Sequence, residues 1–122
     1  MTEAVYKIMD RAAWEQFQAA GTFAGAPVDL ADGYIHFSAA HQVQGTLDKH
    51  FAERADLVLV AVDAAALGAA LRWEVSRGGD LFPHLYTALP LQAVTICTAL
   101  LIGDDGRHRA AEALASVSGV GG

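Results

Sequence analysis

Hydrophobic and polar positions change period along the chain, and the changes mark out its elements. Residues 5–9 are mostly apolar and read as a short strand. Asp10 then offers an N-cap for a helix over residues 11–20, with Gly21 as its stop and with Trp14 and Phe17 three apart on its buried face. Residues 22–32 carry Gly25, Pro27, Asp29 and Asp32 and read as loop. A second strand is predicted over 33–37, after which Ser38 caps a helix over 39–51. The apolar positions of that helix, Ala40, Val43, Leu47 and Phe51, keep helical spacing. Residues 57–62 are apolar throughout, as expected of a central strand covered on both faces. Asp63 caps a short alanine-rich helix to about Gly68. A strand over 71–75, a turn at 77–80, an extended segment over 82–86 and a long strand over 93–102 follow. A terminal helix is expected over 107–117. The order is mixed α+β, best met by a curved sheet flanked by two main helices.

Alternation also sorts the polar side chains of the strands. Tyr34, His36 and Ser38 share one face, with Ile35 and Phe37 on the other. Arg72 and Glu74 separate from Leu71, Trp73 and Val75, and His84 and Tyr86 point together, opposite Leu85. Three strands thus each present a polar pair or trio, and whether these faces meet in one cleft is a tertiary question.

The chemistry of these residues is open in two directions. His36 can exchange a proton near neutral pH and sits before a helix N-terminus, whose free amides favour an anion; alternatively it is a half-buried imidazole satisfied by backbone. Pro83 stiffens the chain beside His84, which is either an aimed imidazole or a surface turn residue. Tyr86 offers a face for stacking a ring, or simply packs. Arg72 and Glu74 either neutralise each other on the surface or, desolvated in a cleft, hold a phosphate and ribose hydroxyls. His41 and His50 lie on opposite sides of their helix and are expected to be solvated, and His108 falls in the tail. Cys97, within an apolar strand, is expected to behave as a small hydrophobe. No metal is expected, since HExxH and comparable spacings are missing; nor does a GxGxxG or GxxxxGK[ST] phosphate loop occur.

Composition narrows the classes. The 122 residues suit one domain, set at 1–115 with a small, glycine-rich, flexible tail at 116–122. Hydrophobic residues make up 53% and charged residues 18%, enough for a substantial core. Eight basic against fourteen acidic side chains give a net charge of −6, which works against stable nucleic-acid binding and against anionic membranes but leaves room for a local nucleotide site. The apolar stretches at 57–62 and 93–103 fall short of the roughly 20 residues of a membrane-spanning helix, and no secretory signal opens the chain, so a cytoplasmic protein is expected. A single cysteine excludes an intrachain disulfide. Oligomeric state is not readable.

The blocks GYIHFS at 33–38, HQVQGTLDKHF at 41–51, LVLVAVD at 57–63, RWE at 72–74 and FPHLY at 82–86, with the opening VYKIMDRAAWEQFQAAG, resemble the domain of unknown function 952 family over about residues 4–102. That family is grouped with the ADP-ribosyltransferase-like superfamily. The resemblance implies a small α+β fold with a curved, split mixed sheet around a cleft for NAD, as substrate, or a related phosphorylated nucleotide. His36 and Ser38 resemble the element that binds ribose and amide, and Tyr86 or Tyr34 the ring that stacks on nicotinamide. The implied cofactor contacts are Tyr34, His36, Ser38, Arg72 and Tyr86, and the implied catalytic residues His36, Glu74 and His84. The sequence departs from the pattern in one respect: the final strand has no glutamate, and Glu74 lies earlier. The alternative is a non-catalytic small-molecule or nucleotide-binding module of the same fold. A glutathione transferase label carried by some members does not suit this chain, since a thioredoxin-like unit and a large helical domain exceed 122 residues.

Overall fold

The computed structural model describes residues 3–118 of the chain. Its centre is β4 (Leu57–Asp63), which pairs antiparallel with β1 (Ala4–Asp10) on one side and with β8 (Val94–Leu100) on the other. The unbroken apolar run of β4 has a direct cause: both faces of this sheet are covered. Val58, Val60 and Val62 join Val5, Met9, Phe17, Ile35 and Leu85 in one core, while Leu57, Leu59 and Ala61 join Tyr6, Ile8, Val43 and Leu47 in a second.

Helix α1 (Arg11–Ala20) starts and stops as its sequence dictates. Asp10 accepts a hydrogen bond from the Ala13 amide at 2.8 Å, a cap worth about 1 kcal/mol, and Gly21 closes the helix at φ 79°. Phe17 is buried on the inner face.

The segment 22–32 departs from the loop reading. It holds β2 (Thr22–Phe23), which pairs with β7 (Leu89–Pro90), and helix α2 (Pro27–Asp32). Pro27 opens α2 with its φ preset, and Gly33, at φ 88°, donates to the Asp29 carbonyl at 2.9 Å and ends it. The next strand is shorter than expected: β3 is Ile35–His36 only. Ser38 is not a helix cap. Its backbone exchanges hydrogen bonds of 2.8 and 2.9 Å with Tyr6, which ties β1 to the segment carrying His36. The helix beyond opens as a 3-10 turn at Ala40–Gln42, with Gln42 Oε1 accepting from the Ala39 amide, and continues as α3 (Val43–His50).

The short α4 (Ala64–Leu67) is capped by Asp63, which accepts from Ala65. A third sheet then orders β3, β6 (Leu81–Leu85) and β5 (Leu71–Val75), with β6 central. β5 is an edge strand, and on its apolar side Trp73 and Val75 are exposed. Every strand pair among the described residues is antiparallel, so the expected mixed sheet gives way to three antiparallel sheets. Helix α5 (Ala110–Ser118) closes the fold; it runs past residue 116, where the tail was expected to begin, and residues 119–122 lie outside the described residues. His108, assigned to the tail, is buried, with Nε2 2.7 Å from the Arg54 carbonyl. Cys97 is half-buried against the first core, which pushes its thiol up to about 11. The chain is a small single-domain α+β protein, and no helix among the described residues is long and apolar enough to cross a membrane.

Candidate functional site

Two strand pairings bring three strands' polar residues together. β3 pairs with β6 so that His36 faces His84, and β5 pairs with β6 so that Arg72 faces His84. The Tyr34 ring closes the group: its centroid lies 4.1 Å from His84, stacked at 26°, 4.7 Å from His36 and 5.3 Å from Tyr86. The two imidazole centroids are 5.6 Å apart.

His36 and His84 each have a carboxylate partner. His36 Nδ1 is 2.6 Å from Asp29 Oδ1, and its backbone amide donates to the same oxygen at 3.1 Å. Its Nε2 is 2.9 Å from Asp32 Oδ2. Both ring nitrogens of His36 therefore face a carboxylate oxygen. Asp29 also receives the Lys7 ammonium, 3.0 Å from Oδ2, and the Ala26 amide at 2.8 Å. Lys7 gives a further hydrogen bond to the His36 carbonyl at 2.9 Å. Burial alone pushes the Asp29 carboxyl up. The His36 hydrogen bond, the Lys7 charge and the Ala26 amide overcome that and hold it at about 2. Burial lowers Lys7 below its usual range, with Asp29 working in the opposite direction.

His84 has the reverse arrangement. Its ring is buried and its acid stands at the rim: Nδ1 is 2.8 Å from Glu74 Oε1, and the Tyr86 hydroxyl donates to that same oxygen at 2.7 Å. The hydrogen bonds from Tyr86 and His84 hold the Glu74 carboxyl below its usual range, and Glu74 in turn raises Tyr86. The Arg72 guanidinium sits 4.9 Å over the Tyr86 ring. Burial, with the charges of Asp32 and Glu74, raises Tyr34.

Beside this cluster runs a groove of about 1160 Å³, framed by β1, α1, α2, β3 and α3. Tyr34, His36, Ser38 and His84 line it; Arg72, Glu74 and Tyr86 do not, and reach it only through the rings they touch. Ser38 is buried in the wall, its hydroxyl 3.2 Å from that of Thr46. Lys49, His50 and Arg54, at and beyond the end of α3, add a basic stretch to the lining. His41 and His50 are exposed, and no group of three or more side chains placed to hold a metal occurs among the described residues.

Lys7, Asp29 and Asp32 did not emerge from strand alternation. Two signals were present: a lysine inside an apolar strand requires a buried counter-ion, and the Pro27-to-Gly33 frame spells a short helix that carries Asp29 in its first turn.

A family model described as "Protein of unknown function (DUF952)" matches residues 8–97. None of the curated proteins compared matches the chain. Among solved structures, the crystal structure of protein CC0527 from Caulobacter crescentus is 48% identical with a TM-score of 0.88, over 92% of this chain and 98% of that one. The solution NMR structure of the same protein gives 48% identity and a TM-score of 0.83, over 93% and 97%.

Proposed function

Because the chain belongs to the DUF952 family, we propose its function from the groove itself: it binds a phosphorylated, nucleotide-like small molecule, NAD or a related compound, in the cytoplasm. One observation carries this reading. Tyr34, His36 and His84 converge on a groove of about 1160 Å³ that is also lined by Lys49, His50 and Arg54. The volume exceeds the roughly 300–1000 Å³ of common small-molecule sites and suits an extended ligand. The Tyr34 ring, packed against two imidazoles, receives a flat base, and the basic stretch receives phosphate oxygens. The ADP-ribosyltransferase-like reading of the fold belongs to this proposal; its support is the split of the strands into separate sheets beside the groove.

Calorimetric titration of the full chain with NAD, ADP-ribose and AMP tests the reading. Saturable binding, weakened at least tenfold by Tyr34→Ala and by Lys49→Ala with Arg54→Ala, is the expected result. No binding of any of the three by folded protein overturns it.

A catalytic role is the second reading, favoured by the Glu74–His84 contact. A carboxylate on Nδ1 fixes ring orientation and tautomer, as general-base histidines require. In this reading water would add to the ribose carbon as the bond from ribose to nicotinamide breaks, His84, held by Glu74, would take the water's proton, and nicotinamide would leave from its stack on Tyr34. Release of nicotinamide from NAD, lost in His36→Ala and His84→Ala, supports this reading; binding without turnover leaves the chain a binding module.

A further inference from the structure

We infer that Asp32 recognises the free vicinal diol of the ligand's ribose and makes the site selective for it; this rests on the nucleotide reading above. Among the described residues, two carboxylates line the groove, Asp10 and Asp32. Asp10 is engaged at both oxygens: Oδ1 caps α1, and Oδ2 is 3.8 Å from Arg54. Asp32 is half-exposed, and its contact within the cluster is through Oδ2 alone, to His36.

The support behind Asp32 extends into the core. His36 holds Asp32 with one nitrogen and Asp29 with the other; Asp29 is anchored in turn by Lys7 and by the Ala26 amide. The imidazole cannot turn without giving up both carboxylates, so the Asp32 carboxylate is held at the groove wall by a ring that is itself fixed. Nothing in α2 calls for an acid there. Asp32 is the last residue of the helix, the end at which backbone carbonyls disfavour a carboxylate.

A carboxylate in that position accepts hydrogen bonds and repels anions. Two hydroxyls on adjacent carbons fit it as donors. Removing one hydroxyl leaves an acceptor unmatched, and a phosphate on either brings like charges together. The Tyr34 ring, 4.7 Å from His36, places a base-stacking surface beside the diol acceptor.

The test uses the full chain and three probes: AMP, 2′-deoxy-AMP and adenosine 2′,5′-bisphosphate. The parent is expected to bind AMP about tenfold more tightly than either of the others. Asp32→Asn and Asp32→Ala, their folding checked by amide spectra, should lose that preference and bind the bisphosphate more tightly than the parent does. Lys49→Ala should weaken all three probes together and leave their ratio unchanged. Equal affinities in the parent, or an unchanged preference in both Asp32 variants, overturn the role of Asp32 while the groove reading stands. Failure of AMP to bind the parent while NAD or ADP-ribose binds overturns the role of Asp32 alone, and failure of AMP, NAD and ADP-ribose alike overturns both.

Discussion

The two histidine–carboxylate pairs stand side by side across one strand pairing, yet they are built in opposite senses. At His36 the acid is the interior partner: the Asp29 side chain is 1% exposed and the imidazole 32%. At His84 the ring is interior, 4% exposed, and the Glu74 acid 37%. Burial decides what each acid does. Asp29, cut off from water, must be matched by Lys7, His36 and the Ala26 amide, so it locks β1, α2 and β3 together. Glu74, wetted at the rim, carries little of the fold and acts on the rings it touches. One pair is a structural joint with a functional edge; the other is a functional pair with little structural weight.

The largest effect that separates them is loss of the inner acid. Asp29→Asn strands a buried ammonium and is expected to cost about 3–5 kcal/mol in denaturant titrations. Replacing both partners, as in Lys7→Met with Asp29→Leu, should cost less than the single change, because no unpaired charge remains. Equal losses would show that the joint depends on Asp29's backbone contacts and not on the ion pair.

Acid should distinguish the pairs next. The folded Asp29 carboxyl, at about 2 against an ordinary 3.8, binds its proton less readily than the unfolded chain does. Its stabilisation is therefore complete above pH 3.8 and is lost as pH falls toward 2, a contribution of about 2 kcal/mol. Lys7 works the other way, since its lowered value marks a burial cost at neutral pH. Stability followed from pH 5 to pH 2 should fall by about that amount more in the parent than in Asp29→Asn.

At the rim the expected effects are spectroscopic. Glu74→Gln should leave the denaturation midpoint nearly unchanged and lower the pH at which Tyr86 ionises, read from phenolate absorbance, because Glu74 is the main cause holding it up. Arg72→Ala gives the smallest change and the opposite sign: the guanidinium favours the phenolate, so its loss raises Tyr86. Shifts of the same sign in both variants would rule out this rim arrangement.

Local physics determined much of this protein from its sequence. Asp10 and Gly21 bound α1 because caps act within a few residues. The run at 57–62 makes β4 central because a strand apolar on both faces needs cover on both. Alternation set Tyr34, His36 and Ser38 at the groove and Ile35 in the core, while Phe37 belongs to the core and also lines the groove. Tertiary structure alone decided the rest. Lys7 and Asp29 are 22 residues apart, and their pairing depends on how β1 is laid against α2, which no local pattern encodes. Trp73 and Val75 alternate with polar residues as Leu71 does, but of the three only Leu71 packs against the core at this sheet edge. Periodicity can say that one side of a strand is apolar; only the packing of the other elements says what, if anything, covers it.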